Sequence, residues 1–453
     1  MANTVRPNAQ YPVIEQSNTW YRRAEQLIPA GTHTLAKGAG QFVRGVAPKL
    51  LQRGRGARVW DVDGNEYLDL CMAVGPLSLG YADPDVDAAI TEQLRDGISF
   101  SLVHPLEVEV AELLHEHIPA AEMVRFSKTG ADVTSAAVRV ARAYTGRNKV
   151  LCCGYHGWHD WYIAVTDRDR GVPDAVRDQS YTFEYNALET LAAAITDNVA
   201  CVILEPLTFD APAAGFLQQV RELCTRHGVV LIFDEMWTGF RIALRGAQGY
   251  FGVEADLACF SKAIANGMPL SALTGRRELM QLFDRDVFFF TTYGGETLSL
   301  AAAKATIHKL HRARVPEHIT QLGERLQQGL QALVTELALS HVSCKGLPFR
   351  TMLTFDPSGG APLVQKSFVQ QELLRHGVLW NGFHNLSYAH TVEDIDYLLE
   401  SYRSVLAALR DKSASQQLDA SLRGEPLEPV FRRTHKFHTR PASTGAWGAR
   451  GAR

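Results

Sequence analysis

The sequence has no run of about 18 apolar residues, the length a helix needs to cross a bilayer, so a transmembrane helix is not expected. Its first residues, MANTVRPNAQYPVIEQ, lack the apolar core of a secretory signal. There is no large charge excess: 46 Lys and Arg stand against 49 Asp and Glu, a net charge of −3, which argues against a strongly basic nucleic-acid protein. The seven cysteines (Cys71, Cys152, Cys153, Cys201, Cys224, Cys259 and Cys344) form no CxxC pair and mostly sit among apolar residues. They read as buried free thiols of a reducing compartment rather than a disulfide framework. No internal repeat is present, and low complexity is confined to the C-terminus. These absences lead to the expectation of a cytoplasmic protein with neither a membrane nor a nucleic-acid partner. With 46% hydrophobic and 21% charged residues, disorder of the whole chain is excluded. A length of 453 residues favours two or three domain-sized units.

Apolar residues Trp20, Ala24, Leu27 and Ile28 recur at helical spacing, which predicts a short amphipathic helix over 14–28. A glycine-punctuated stretch follows, from Gly31 to Gly45. At 57–70, ARVWDVDGNEYLDL places two alternating segments around Asp63-Gly64, a hairpin signal. Between about 105 and 310, short apolar runs alternate with helical stretches. The runs KVLCCGY (149–155), ACVILEP (200–206), GVVLIFDE (228–235) and LACFSK (257–262) are apolar at nearly every position. Such strands suit a parallel sheet covered on both faces by helices. Each run ends in polar residues, and ligands of open α/β sheets gather at the carboxyl ends of strands. The predicted organisation is an N-terminal segment (1–60) joining a small domain, a large domain (61–312), the rest of the small domain (313–410), and a loosely ordered basic tail (411–453). That tail carries eight Lys or Arg and four Asp or Glu.

Asp234 follows five apolar residues and should end a buried strand. A carboxylate there is costly to bury without a cationic or proton-donating partner. An isolated strand-end Asp is most often a cap or an ion-pair partner, but Lys262 also ends an apolar run. A Lys leaving a buried strand can lose its proton near neutral pH through desolvation and nearby positive charge, and a neutral amine condenses with an aldehyde to a Schiff base. An Asp that keeps a pyridine nitrogen protonated, paired with such a Lys, is what pyridoxal phosphate chemistry requires. A phosphate site is then needed. In RFSKTGADVTSAAVRVARAYTGR (125–147), Thr129, Gly130 and Ala131 open a helix whose N–H groups and dipole favour an anion. Thr291 and Thr292, before a glycine pair, are a second hydroxyl source or simply a loop. In KVLCCGYHGWHDWY (149–162), Tyr155 can stack on a flat ring while Met236 packs beneath it. His156 and His159 also invite a metal reading, but no acidic or cysteine cluster completes a ligand set, and no metal is expected.

These residues resemble the class III aminotransferases of the fold type I pyridoxal phosphate enzymes, and most closely the glutamate semialdehyde aminomutase-like branch. The resemblance covers roughly residues 20–405 and rests on ten stretches in order. They are WDVDGNEYLDL, GPLSLGYADPDV, VRFSKTGAD, ARAYTGRNKV, YHGWHD, ILEP, LIFDEMWTGFR, FSKAIANGMPLSAL, TYGGETLSLAA and SYAHTVEDID. It implies an α/β fold: a large domain with a mostly parallel sheet, and a smaller α+β domain built from the N- and C-terminal segments. It implies that Lys262 binds pyridoxal phosphate as a Schiff base and shuttles a proton, and that Asp234 pairs with the ring nitrogen. Thr129, Gly130 and Ala131 would hold the phosphate, Tyr155 would stack on the ring with His156 beside it, and Glu205 would lie near the phenolic side. It also implies a homodimer with shared active sites, Thr292 reaching the phosphate of the neighbouring subunit.

The sequence departs from the family in several places. The usual Ser-Gly-Thr-Glu-Ala is Thr129-Gly130-Ala131-Asp132-Val133 here, and Met236 replaces a small branched residue. Thr34 and Lys37 stand where the aminomutase has a Ser and a carboxylate-binding Arg, and Lys lacks the planar fork of Arg. Near the C-terminus, Trp380, His384 and Asn385 occupy a stretch with neither the aminomutase's acidic residue nor a clear Arg clamp. Thr34, Lys37, Trp380 and His384 are therefore the expected substrate contacts. The first expectation is an aminotransferase passing an amino group from a donor to a keto or aldehyde acceptor. The second is an intramolecular aminomutase or other isomerase that keeps its intermediate under a lid around 156–182. The third is a non-catalytic protein of the same fold.

Overall fold

The structure, a computed structural model, describes residues 10–428. The end of the expected basic tail, 429–453, lies outside the described residues. The chain groups into two units, one of residues 10–84 with 314–428, the other of residues 85–313.

In the first unit, β1 (Leu51–Arg55), β2 (Arg58–Asp61) and β3 (Glu66–Asp69) form an antiparallel meander, and Val378–Leu379 adds parallel to β3. The β2–β3 hairpin has the turn that Asp63-Gly64 predicts, with Asp61 accepting from the Asp63 and Asn65 N–H groups. The Asp63 carboxylate also accepts from the N–H groups of Gln16 and Ser17. It thereby caps the helix Glu15–Leu27, whose own N-cap, Ile14, has no side-chain acceptor. Trp20 and Leu27 on that helix are exposed. The border expected between residues 60 and 61 falls inside this sheet. Because β2 and β3 are one hairpin paired to Val378–Leu379, the first unit runs on to Pro84.

A second small sheet pairs Val342–Leu347 with Arg350–Phe355, and the latter with Phe383–His384. The helix Val315–Glu336 closes on its turn at Gly323, where an added Cβ would meet the Pro348 carbonyl oxygen at 1.7 Å. The helix Val392–Ala414 completes this unit through a capping box at Thr391 and Asp394. His384 lies fully buried here, one ring nitrogen against the Thr351 hydroxyl (2.8 Å) and the other against that of Tyr402 (2.7 Å).

The second unit holds a seven-stranded sheet, built from β4 (Met123–Ser127), β5 (Lys149–Cys153), β6 (Ser180–Thr182), β7 (Val199–Leu204), β8 (Val230–Asp234), β9 (Leu257–Phe260) and β10 (Ser271–Gly275). The order is β4-β10-β9-β8-β7-β5-β6, with β9, β8, β7, β5 and β6 parallel and β10 antiparallel to both of its neighbours. All four apolar runs became parallel strands, and every residue of β7, β8 and β9 is buried, as coverage on both faces demands. The helix Gly130–Thr145 lies on one face with Val133, Ala136, Ala137, Val140 and Ala141 inward. All seven cysteines are free thiols, six of them buried. No helix among the described residues is long and apolar enough to cross a membrane.

Two outcomes test this packing. Gly323→Ala should lower stability by about 1–3 kcal/mol, because the new methyl group has backbone on its far side; denaturant melts of the two proteins measure it. Burial pushes the His384 imidazole down from 6.5 to about 3. Its folded form therefore resists a proton that the unfolded chain accepts. The stabilisation is complete above about pH 6.5 and is lost, at up to about 1.4 kcal/mol per pH unit, as the pH falls towards 3. A His384→Gln variant should show a shallower decline over that range in unfolding experiments.

Candidate active site

Of the expected cofactor residues in the second unit, Tyr155 and His156 follow β5, Glu205 follows β7, Asp234 ends β8 and Lys262 follows β9, while Thr129, Gly130 and Ala131 follow β4. β8 and β9 are adjacent, with Asp234 opposite Cys259 and the Glu235 N–H bonded to the Cys259 carbonyl. Lys262 follows three residues after Cys259, on a short 3-10 turn that begins where β9 ends. Its φ is +50°, left-handed backbone that a side chain rarely adopts and that costs roughly 1 kcal/mol or more. Its Nζ stands 4.0 Å from the centroid of the Trp237 ring. Trp237 escaped the sequence reading, although it sits three residues after Asp234 in the stretch that carried most weight.

Neighbouring acids at the end of β8 point to opposite sides, as successive strand residues must. Glu235 is fully buried and accepts from Thr238 Oγ1, the Ala247 and Gln248 N–H groups and Gln248 Nε2, so it anchors a loop. Asp234, 2% exposed, accepts at Oδ1 from the Met236 N–H (3.1 Å) and lies with Oδ2 2.7 Å from His156 Nδ1. His156 Nε2 meets the Cys153 carbonyl at 3.1 Å. Both imidazole nitrogens thus face oxygen atoms, one of a carboxylate and one of a backbone carbonyl. His156 is stacked with Trp161 at 6.1 Å between centroids, and Trp161 Nε1 donates to Ser135 Oγ at 2.9 Å. Ser135 Oγ lies 2.7 Å from His159 Nδ1. Both histidines of the metal reading are therefore engaged elsewhere, and no group of three or more His, Cys, Asp or Glu is placed to hold a metal among the described residues.

Thr129 caps the helix Gly130–Thr145 in a capping box with Asp132. The Asp132 carboxylate is held by the Thr129 N–H and Ser127 Oγ. The N–H groups of Gly130 and Ala131, first in the helix, have no acceptor within it and could take an anion. Thr129 Oγ1 accepts from the Asp132 N–H, which leaves its own proton free to donate. Met236 packs on this turn: a Cβ at Gly130 would lie 2.9 Å from its sulfur. The loop after β5 closes over the same turn. Gly157, at φ +105°, approaches so near that a Cβ would be 2.7 Å from that of Ala131. Glu205, at the end of β7, receives the Tyr155 N–H at 2.7 Å and so fixes the loop bearing Tyr155. The ring of Tyr155 meets Tyr162 edge-on at 5.5 Å. Thr292 is exposed on its loop.

The helix N-terminus after β4, the buried carboxylate ending β8 and the primary amine after β9 fit the chemistry of pyridoxal phosphate, which has a phosphate, a ring nitrogen and an aldehyde. The other expected contacts lie in the first unit. Thr34 and Lys37 are exposed, and Lys37 makes no ion pair among the described residues. Trp380 and His384 differ from expectation. Trp380 is fully buried, with its Nε1 unpartnered among the described residues, and both His384 nitrogens are held by Thr351 and Tyr402, so the imidazole packs the core and leaves no nitrogen for a substrate. An aromatic residue and a histidine among polar neighbours look alike in a sequence whether they line a pocket or fill a core.

Comparison with known proteins identifies the family. A family model described as Aminotransferase class-III matches residues 43–395. The 3-aminobutyryl-CoA aminotransferase of Cloacimonas acidaminovorans (strain Evry) is 36% identical over 411 residues, covering 88% of this chain and 98% of its own. Glutamate-1-semialdehyde 2,1-aminomutase 2 of Halalkalibacterium halodurans is 34% identical over 431 residues, covering 88% and 99%. Among solved structures, the FumI protein of Sphingopyxis sp. MTA144, in its PLP internal aldimine form, superposes with a TM-score of 0.82 at 28% identity, covering 90% of this chain and 99% of its own. The chain belongs to the class III aminotransferases, of fold type I, and is a pyridoxal phosphate-dependent enzyme.

Proposed function

We propose that this protein is an aminotransferase in which Lys262 and Asp234 act on opposite edges of one cofactor ring. The observation that carries this reading is the pairing of β8 with β9, which sets Asp234 beside Cys259 and brings Lys262 to the same end of the sheet. When bound, pyridoxal phosphate supplies an electron-accepting ring that eases loss of a proton next to the substrate's amine. The protein does the rest. Asp234, buried and oriented by His156, presents negative charge where the ring nitrogen's proton must be kept. Lys262 Nζ would hold the cofactor's aldehyde and would serve as the proton carrier beside the substrate's amine-bearing carbon, with Trp237 setting its position. Thr129 and the Gly130 and Ala131 N–H groups take the phosphate, Tyr155 and Met236 border the ring, and Glu205 holds the Tyr155 loop in place. Thr34 and Lys37 are assigned to the substrate, Lys37 as the cation for a carboxylate.

The aminotransferase reading is preferred to the mutase. Its support is the Lys that replaces the aminomutase's carboxylate-binding Arg at position 37, together with the resemblance to a relative named as an aminotransferase. A homodimer is part of the proposal. Exposed Thr292 lies among exposed Phe288, Phe290 and Tyr293, and the neighbouring segment exposes Phe100, Leu102 and Val103. Thr297 joins the two segments by bonding to the Ile98 carbonyl. An apolar face of this kind suits a second copy of the chain, which would receive Thr292 at its phosphate seat. The free thiols support a reducing cytoplasm.

Asp234→Asn should retain cofactor but lower kcat at least about 100-fold, measured with any accepted donor, and unchanged turnover would remove the role given to Asp234. Lys37→Ala should raise KM for a carboxylate donor about tenfold while leaving that of a neutral amine near the parent's. Equal effects on the two would dismiss Lys37 as the anchor. Turnover of a single amino aldehyde without a separate donor would turn the assignment to the mutase.

A further inference from the structure

Beside the loop that carries His156 lies a cavity of about 380 Å³, bounded by Ser135, Arg139, Arg142, Trp158, His159 and Trp161, with Asp160 and Val138 completing its wall. None of the roles assigned above uses it. Arg139 and Arg142 are one helical turn apart on Gly130–Thr145 and so point to the same side. Each has a single hydrogen bond among the described residues: Arg139 Nη1 to the Phe288 carbonyl (2.8 Å) and Arg142 Nε to the Asn148 carbonyl (2.8 Å). Neither has a carboxylate partner, so most of both guanidinium forks is left for a ligand. Trp158 stands beside them with 68% of its surface exposed, held edge-on against His159 at 4.7 Å. Its indole face is large and apolar, on a protein whose other big aromatic side chains here, Trp161 and Tyr162, are buried.

We propose that this groove binds a small anion bearing a flat ring, of the adenine nucleotide class, with the phosphates on Arg139 and Arg142 and the base on Trp158. Two adjacent forks match the oxygens of a diphosphate, and an exposed indole offers the stacking face that any base can use. The single acidic wall residue, Asp160, is exposed at the rim and disfavours additional negative charge there, which favours a diphosphate over a triphosphate. The inner wall is shared with the active site. Ser135 and Trp161, which close the groove, are the side chains that prop His156 against Asp234.

Calorimetry of the purified holoenzyme with ADP, and separately with inorganic pyrophosphate, tests the proposal. ADP should bind saturably. Trp158→Ala, a change at an exposed side chain, should weaken ADP about tenfold or more and leave pyrophosphate unaffected. The double variant Arg139→Gln, Arg142→Gln should weaken both ligands, with thermal melts confirming that it is folded. No saturable binding of ADP by the holoenzyme would overturn the proposal. So would ADP binding that is equal in the parent and both variants, or pyrophosphate binding as tight as that of ADP.

Discussion

A carboxylate at the end of a fully buried strand is the constraint from which the site is built. Burying Asp234 without partners would cost several kcal/mol, so the fold must supply them. It supplies the Met236 N–H and the His156 ring, and each then needs its own support. His156 is positioned by the Cys153 carbonyl and by stacking with Trp161, and Trp161 by Ser135. One oxygen pair at the tip of β8 thus dictates the path of the chain from 153 to 161 and the inward face of the helix that follows Thr129. Every one of those residues lies in the unit that also carries Lys262. The role proposed for Asp234 at a ring nitrogen gives a reason to keep a carboxylate at this strand end.

Preorganisation takes a different form at each edge of the site. At the proposed phosphate seat it is backbone: the Gly130 and Ala131 N–H groups, first in the helix, have no acceptor within it, and the capping box holds the Asp132 carboxylate on Thr129 and Ser127. At the amine it is strain, since Lys262 is held at φ +50° with its Nζ over Trp237. At the ring face it is close packing, in which Gly157 and Ala131 are in such contact that no larger residue fits between loop and helix. A cofactor entering this space meets groups already aimed, which is how an electrostatic site acts without reorganising.

Much of this was legible in the sequence, for physical reasons. Strands buried on both faces must be apolar throughout, so β5, β7, β8 and β9 announced themselves, and the polar residues after them marked the ligand side. Asp63-Gly64 disclosed its hairpin because a tight turn needs that chemistry. Contacts between side chains distant along the chain left no such trace. Nothing in the local pattern of Ser135 or Trp161 says that they meet beneath His156. Nothing near Trp380 and His384 distinguishes a ligand pocket from a core in which Thr351 and Tyr402 satisfy the imidazole. The unit border was misplaced for a related reason: the pairing of β3 with Val378–Leu379 spans most of the chain, and no periodicity encodes it.

The central claim is that one cofactor molecule is joined to Lys262 and neutralised by Asp234. Borohydride reduction of the holoenzyme, followed by digestion and mass analysis of its peptides, tests it most directly. The account predicts a pyridoxyl group on the peptide containing Lys262 and on no other. A label on a different lysine, such as Lys128 or Lys366, or no label on any peptide, would contradict it.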